Sequence, residues 1–335
     1  MLRGAFIGFG NVAAKGHLPG WQSLKDVQIV AATDAVEAQG RAFLEACPGG
    51  QWHESVDDLL RDKTLDFVDI CTPPSSHAAL IKCALDSDLH VLCEKPLVTR
   101  VGDVQAIAAA AASSGRIVHT VHNWLKAPIC NKISSLVDEG AVGAVRTVRW
   151  QTLRMEPAVT VASDGGNWRA DPAVAGGGII FDHGWHALYC VARWAGVPRG
   201  VSALLEKRRF RDWPIEDTAT VTLDSNSVAA HIYLTWSANE RANHIEIEGD
   251  QGHISVASDE VIFRSDTGER RWSCPPPLSQ GSHHRDWFIG VAEDFQHAAV
   301  SGRKGNLDEA VLCARLIDLV QRSSTAGGVR LPLDN

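Results

Sequence analysis

Lys95 stands in Cys93-Glu94-Lys95-Pro96, directly after the apolar run Leu89, Val91 and Leu92. A lysine at the carboxyl end of a parallel strand points into the crevice where an open α/β sheet binds its ligand. Its ammonium can hydrogen-bond a reacting oxygen and favour the anionic form. Far upstream, Gly8-Phe9-Gly10-Asn11-Val12-Ala13 reads as a G-x-G-x-x-A turn between an apolar strand and a helix. The first glycine permits the tight turn, the second lets the backbone approach a pyrophosphate, and a small third residue allows close helix–strand packing. The helix N-terminus adds unpaired N–H groups for the anion. This turn is therefore the expected dinucleotide contact. Asp34 ends the second strand, about twenty residues past Ala13, where a carboxylate grips the adenosine ribose hydroxyls. No Arg or Lys follows it until Arg41. A 2′-phosphate would meet the Asp34 carboxylate with no cation beside it, so NAD is expected over NADP. Asp34 could also cap the helix from Ala35, and both roles can hold.

The elements that must carry these residues alternate through the first 120 positions. Apolar strands at Ala5-Phe6-Ile7, Val27 to Ala32, Phe67 to Ile70, His90 to Leu92 and Ile117 to Val121 are separated by helical stretches. These stretches are Val12 to Leu24, Ala35 to Ala46, Ala78 to Leu85 (capped by Ser75 or Ser76) and Val104 to Ala112. Such alternation argues for a parallel, doubly wound sheet. A helix from Pro128 to Glu139 and a strand from Val145 to Leu153 follow. A long loop rich in Gly, Asp and Pro then runs from Glu156 to Gly178, and Gly176-Gly177-Gly178 releases a helix through His186 to Trp194. From Val201 to Arg264 strands dominate. Asp224-Ser225-Asn226-Ser227 reads as a hairpin turn, and His244 to Glu248 alternates apolar with polar, so one face is buried. Two helices close the sequence, the second with Leu312, Leu316 and Val320 on one face.

The bulk properties are those of a globular protein: 335 residues, 45% hydrophobic, 21% charged, net charge −8. The mixed, acidic balance argues against nucleic acid or anionic membrane as the main partner. No apolar run approaches the ~20 residues of a membrane span. The first strand begins too early to leave room for a signal peptide, so a cytoplasmic location is expected. Eight scattered cysteines contain no C-x-x-C pair, which argues for reduced thiols rather than a zinc ribbon or disulfide scaffold. Eleven tryptophans stand against two tyrosines and two methionines.

Taken together, Gly8-x-Gly10-x-x-Ala13, Cys71-Thr72-Pro73-Pro74-Ser75-Ser76-His77 and Glu94-Lys95-Pro96 resemble the glucose–fructose oxidoreductase / inositol dehydrogenase / MocA family. Gly176-Gly177-Gly178 followed by Asp182 and His186 resembles that family's second signature, Asp-x-x-x-His on the helix after a glycine run. The likeness spans essentially the whole chain. It implies an α/β architecture: an NAD-binding Rossmann domain with a doubly wound parallel sheet (1–121), then an α+β domain (122–335) with a large open, mostly antiparallel sheet. The second domain would bind substrate and mediate assembly into a homodimer or homotetramer. The resemblance further implies hydride transfer between nicotinamide and a secondary alcohol or carbonyl carbon of a sugar, inositol or aminocyclitol. Thr72, Pro73, His77, Glu94, Lys95 and Asn123 would flank the cofactor. Lys95, Asp182 and His186 would act on the substrate. One departure stands out. Where the family has an Asn-Arg-Arg-like stretch, this chain has Asn123-Trp124-Leu125, so an acid or phosphate substrate held by those arginines is less expected.

Hydride transfer from an alcohol needs a base for the hydroxyl proton and a group that stabilises the developing oxyanion. His186 suits the base, with a reference pKa near ~6.5. Asp182, four residues earlier, would share its helix face and either orient it or bind a second hydroxyl. Lys95 would be the electrostatic partner. Asp182, His183 and His186 could otherwise form a surface group or a zinc cluster, but three ligands on one helix without an identified fourth make a metal site unexpected. His77 is as readily structural as cofactor-facing. Trp168 could wall the substrate site and Arg169 bind its oxygens or brace the loop. Trp124 could stack on a sugar-like ring or be buried at the domain junction. Two other classes share these residues: a non-catalytic NAD-binding sensor, and an NAD-assisted elimination or glycoside cleavage.

Overall fold

The computed structural model describes residues 1–158, 167–225, 227–281 and 283–334. They form two compact units. The first holds six strands: β1 (Leu2–Ile7), β2 (Val27–Thr33), β3 (Gln51–Trp52), β4 (Phe67–Ile70), β5 (His90–Cys93) and β6 (Val118–Thr120). Their order is β3-β2-β1-β4-β5-β6, with every pair parallel. All four residues of β4 are buried. That is the pattern of strands covered on both faces, and it explains why they read as continuous apolar runs. The order reverses between β1 and β4. Ligands of open α/β sheets bind at such a switch point, outside the carboxyl ends of the strands. The glycine turn follows β1, Cys71-Thr72 follows β4 and Glu94-Lys95 follows β5, so all three gather at that edge.

The domain division differs from expectation in one respect. The first unit takes in Met1–Asn123 and also Gly281–Ala314, which the sequence reading had placed in the second domain. The reason is packing. Helix Arg285–Ser301 inserts Phe288, Val291, Ala292 and Phe295 into the same core as Phe6, Phe9, Trp21, Phe43 and Phe67. Phe295 lies 5.2 Å from Phe67 and 5.9 Å from Trp21, ring to ring.

The second unit is built on a nine-stranded sheet among the described residues. Its strands are β7 (Val145–Leu153), β8 (Gly200–Glu206), β9 (Thr218–Asp224), β10 (Ala229–Thr235), β11 (Ala242–Gly249), β12 (His253–Ala257), β13 (Glu260–Ser265), β14 (Gly268–Ser273) and β15 (Leu331–Pro332). The order is β14-β13-β12-β11-β7-β10-β9-β8-β15, antiparallel except for the β7–β10 pair. The hairpin expected at Asp224 joins β9 to β10, and Ser225 N–H bonds Val228 O; its Asn226 lies outside the described residues. Val148, Trp150 and Thr152 of β7 are buried with Ala230, Ile232 and Leu234 of β10, on the face packed by helix Trp185–Ala195. On the other face Arg149, His231, His244 and Glu246 are exposed.

Part of the expected loop, 159–166, lies outside the described residues. Beyond it the chain is more regular than expected. Asp171 accepts the Ala173 N–H and Pro172 opens a short helix, Pro172–Ala175, which Gly176 ends at φ 89°. An Asp cap followed by proline at the first helical position favours that start.

Candidate active site

In the first unit, Gly8 adopts φ +89°, and a Cβ there would meet Thr72 Cγ2 at 2.9 Å. Glycine is therefore required. At Gly10 a Cβ would meet no atom of the described residues within 4 Å, which leaves the backbone open to a close ligand. Asn11 is exposed, Val12 half-buried and Ala13 buried against the sheet. The helix expected from Ala35 runs Ala38–Ala46 with Glu37 at its N-cap, so Asp34 is not its cap but braces the chain just before it. Its Oδ2 accepts the Phe9 N–H at 2.6 Å, fixing the glycine turn, and its Oδ1 accepts the Val36 N–H at 2.8 Å. A carboxylate has about four acceptor sites, so lone pairs remain for two ribose hydroxyls. These residues fit a dinucleotide. Among the described residues Asn123 Oδ1 is buried with no protein hydrogen-bond partner, an acceptor suited to a ligand's donor.

The helix after the turn opens irregularly. Ala13–His17 is a π turn, continued by the short α-helix Leu18–Trp21. Such turns recur at functional sites. Here it delivers His17 into the sheet edge, where the ring lies 2.9 Å from Asp69 Oδ2 and 3.0 Å from Glu94 Oε1. Sequence reasoning missed both His17 and Asp69. An Asp inside the otherwise apolar strand Phe67-Val68-Asp69-Ile70 was the available signal. Glu94 Oε2 accepts the Lys95 N–H at 3.0 Å, and the Lys95–Pro96 bond is cis. Burial alone would raise the Glu94 carboxyl. The hydrogen bond and charge of His17, with Lys95 beside it, hold it below its ordinary value.

His77 is a correction. It was placed among cofactor contacts, but it is fully buried, with Nδ1 2.9 Å from Pro96 O and Nε2 2.9 Å from Thr72 O. It braces the loops after β4 and β5 from behind. Burial holds its pKa below the ordinary value, so one ring proton serves one carbonyl at a time. Thr72 is half-buried and Pro73 exposed. Ser76 does not cap the next helix as expected; its hydroxyl bonds Pro73 O and lies 2.7 Å from Thr72 Oγ1.

In the second unit a π turn, Ile180–Gly184, precedes helix Trp185–Ala195. Asp182 therefore sits in the wider turn and His186 in the regular helix, a departure from the simple one-turn spacing expected. His183 Nδ1 lies 3.2 Å from Asp182 Oδ2. Glu216 anchors this start, its Oε1 accepting the Gly178 and Ile180 N–H groups at 3.0 and 3.2 Å. The His186 ring stacks on Trp124 with centroids 4.5 Å apart and planes 12° from parallel. His186 Nδ1 is 2.7 Å from the Tyr189 hydroxyl, which also accepts the Trp124 N–H at 3.1 Å. Trp124 is thus a wall for the histidine, and its ring lies 5.8 Å from that of Trp150.

Tyr189 went unnoticed in the sequence, although its i+3 spacing from His186 was visible. Arg154 was missed too. Wholly buried at the end of β7, it bonds Ala242 O and Asn243 Oδ1. Burial and the nearby Arg241 push its pKa down to about 10, against the pull of Asp182. It still faces Asp182 as a cation at neutral pH. The Arg169 guanidinium lies over the Trp168 ring at 4.3 Å, so each half-buried residue packs on the other.

Residues 2–122 match the model of the oxidoreductase family with an NAD-binding Rossmann fold, and residues 130–255 match the GFO/IDH/MocA C-terminal domain. A D-apiose dehydrogenase of Paraburkholderia graminis is 26% identical over 298 residues, 84% of this chain and 75% of its own. An oxidoreductase from Agrobacterium radiobacter, solved in complex with NAD+, L-tartaric acid and magnesium, aligns with a TM-score of 0.88 at 20% identity, over 99% of this chain and 98% of that one. A levoglucosan dehydrogenase in complex with NADH and levoglucosan aligns with a TM-score of 0.86 at 18% identity over the full length of both. At such identities the solved structures attest the fold.

Proposed function

Because the chain belongs to the GFO/IDH/MocA oxidoreductase family, we propose that it is an NAD-dependent dehydrogenase acting on a secondary alcohol of a sugar, inositol or aminocyclitol, or on the corresponding carbonyl. The observation that carries this reading is the edge of the first sheet. The glycine turn after β1, Asp34 after β2 and Glu94-Lys95 after β5 present a dinucleotide cradle and a cation at the carboxyl ends of one sheet. NAD, when bound through Gly8, Gly10 and Asp34, supplies the hydride acceptor.

The remaining work falls to side chains. Lys95 stabilises the oxygen of the reacting carbon as it becomes an alkoxide. His186 takes the hydroxyl proton. For this its Nε2 must carry the lone pair, which follows if Nδ1–H donates to the Tyr189 oxygen. Asp182, beside His183 and facing the Arg154 charge, is placed to accept a second substrate hydroxyl. Trp124, buried against the His186 ring, backs the base rather than the substrate, and half-buried Trp168, with Arg169 over one face, is the aromatic wall for a sugar or cyclitol. The dehydrogenases of apiose and levoglucosan among its relatives favour this substrate class. We infer assembly into a homodimer or homotetramer, with the open face of the nine-stranded sheet as its contact surface. Among the described residues no helix is long and apolar enough to cross a membrane, which accords with a cytoplasmic enzyme.

The test is a turnover screen of sugars, inositols and aminocyclitols with NAD and NADP, followed at the reduced-nicotinamide absorbance. Stoichiometric NADH with one of these classes is expected, with NAD preferred over NADP. Tight NAD binding with no turnover of any class would sink the reading.

A further inference from the structure

The hydride step needs Lys95, and beside its turn lie buried His17 and Asp69 with half-buried Glu94 and Cys71. His17 is 2% exposed. Its Nδ1 lies 2.9 and 3.2 Å from the two oxygens of Asp69, and its Nε2 lies 3.0 Å from Glu94 Oε1. An ionised carboxylate only accepts, so a ring nitrogen facing one must donate. A neutral imidazole has one N–H, and two carboxylates on its two nitrogens call for the doubly protonated ring. The carboxylates are themselves fixed. Asp69 Oδ2 also takes the Trp21 indole N–H at 2.7 Å, and Oδ1 takes the Cys71 thiol at 3.4 Å. Glu94 Oε2 takes the Lys95 N–H. The remaining side of the ring is closed by Phe288, stacked at 3.8 Å with planes 14° apart. A cation over an aromatic face is attracted to it.

We propose that His17 is a positioning residue: an imidazolium clamped between Asp69 and Glu94 that holds the Glu94-Lys95-Pro96 turn to the helix of the nucleotide-binding turn. This rests on the reading that Lys95 serves the reacting oxygen. The clamp joins the helix that follows the glycine cradle to the strand end that carries the lysine, so the two halves of the first-unit site cannot drift independently.

The groups around His17 decide its charge. Burial by itself lowers the pKa, but the charge of Asp69 and its hydrogen bond raise it well above the ordinary value. Cys71 is driven the other way: burial, then Asp69, keeps its thiol protonated to high pH. Glu94 is held below its usual value. Trp21 and Phe288 add no titrating charge. A group with a raised pKa contributes stability that is complete below its unfolded value and is lost as pH rises through the folded one. The clamp therefore holds from the depressed Glu94 value up to the raised His17 value. The same three atoms, His17 Nδ1, an Asp69 oxygen and Cys71 Sγ, are of metal-ligand type. However, a 2.9 Å N···O contact is a hydrogen bond, closer than the roughly 3.3 Å between two tetrahedral ligands at zinc bond lengths.

Nitrogen-15 NMR of histidine-labelled protein, without substrate, tests the charge. One imidazole should keep both ring nitrogens protonated at pH 8, and that signal should be the one displaced in Glu94→Gln, which retains His17 and its packing. A neutral His17 at pH 7 overturns the proposal. His17→Phe keeps the stack on Phe288 and removes both bonds. With a substrate from the turnover screen, His17→Phe and Glu94→Gln should each lower kcat tenfold or more, and the double variant should lose no more than either alone. Losses that multiply would show that His17 does not act through Glu94. Should the screen find no substrate, the dehydrogenase reading fails by itself, while the NMR result still decides the clamp.

Discussion

At the scale of single residues, the hydroxyl of Tyr189 bears most directly on the chemistry. It accepts the Trp124 N–H and meets His186 Nδ1, so it holds the ring orientation of the proposed base and, when it accepts Nδ1–H, leaves the lone pair on Nε2. Tyr189→Phe keeps the ring and leaves two buried groups without that oxygen, a cost of about 1–3 kcal/mol. If that cost falls on the transition state, kcat drops by roughly tenfold or more, with the KM for NAD unchanged because the cradle residues belong to the first unit. Initial-rate kinetics would check this, and equal losses in kcat and NAD affinity would argue for general unfolding instead. The places of Asp34 after β2, Lys95 after β5 and His186 in the helix after the glycine run were legible in the sequence because each follows from a local pattern. His17, Asp69 and Arg154 were not. Each is a polar residue inside an apolar pattern, and its role depends on partners far along the chain, such as Glu94 for His17 at a separation of 77 residues.

Among the elements, the two π turns and the glycine run set the site. The expected helix Val12 to Leu24 and the expected helix through His186 both exist, yet each begins with a wider turn, Ala13–His17 and Ile180–Gly184. Composition does not distinguish an i→i+5 from an i→i+4 closure; the distinction comes from where tertiary partners pull the side chains. At Gly178 the demand is steric. A Cβ there would sit 1.9 Å from the Glu216 carbonyl oxygen, a backbone atom that cannot swing aside. Gly178→Ala should cost about 3 kcal/mol or more, or detach the Glu216 anchor from Gly178 and Ile180. Differential scanning calorimetry would show a melting temperature lowered by several degrees. An unchanged value would mean that the segment re-forms elsewhere at no cost. The strands were the most legible elements: β7 matches its expected span, since period-two burial along one covered face is written in the alternation itself.

For the whole molecule, the feature without a sequence signal is the return of helix Arg285–Ser301 to the first unit. An amphipathic helix shows that it needs a partner, and nothing in its pattern says which one. Phe288 and Phe295 complete the nucleotide-binding core, and truncating a buried Phe typically costs 3–5 kcal/mol, about as much as the lower end of a domain's entire stability. A chain ending at residue 280 should therefore neither melt cooperatively in its first unit nor bind NAD. Circular dichroism and calorimetric titration would check this, and native-like NAD affinity in the shortened chain would show that the first unit is self-sufficient. There is a consequence for synthesis. Domains generally fold as they leave the ribosome, N-terminal first. Here the first hundred or so residues emerge early but wait for Phe288 to cover His17. The cofactor unit is begun before the nine-stranded sheet is made and completed only after it, so a nascent chain stalled between the two carries an incomplete nucleotide domain rather than a prematurely active one.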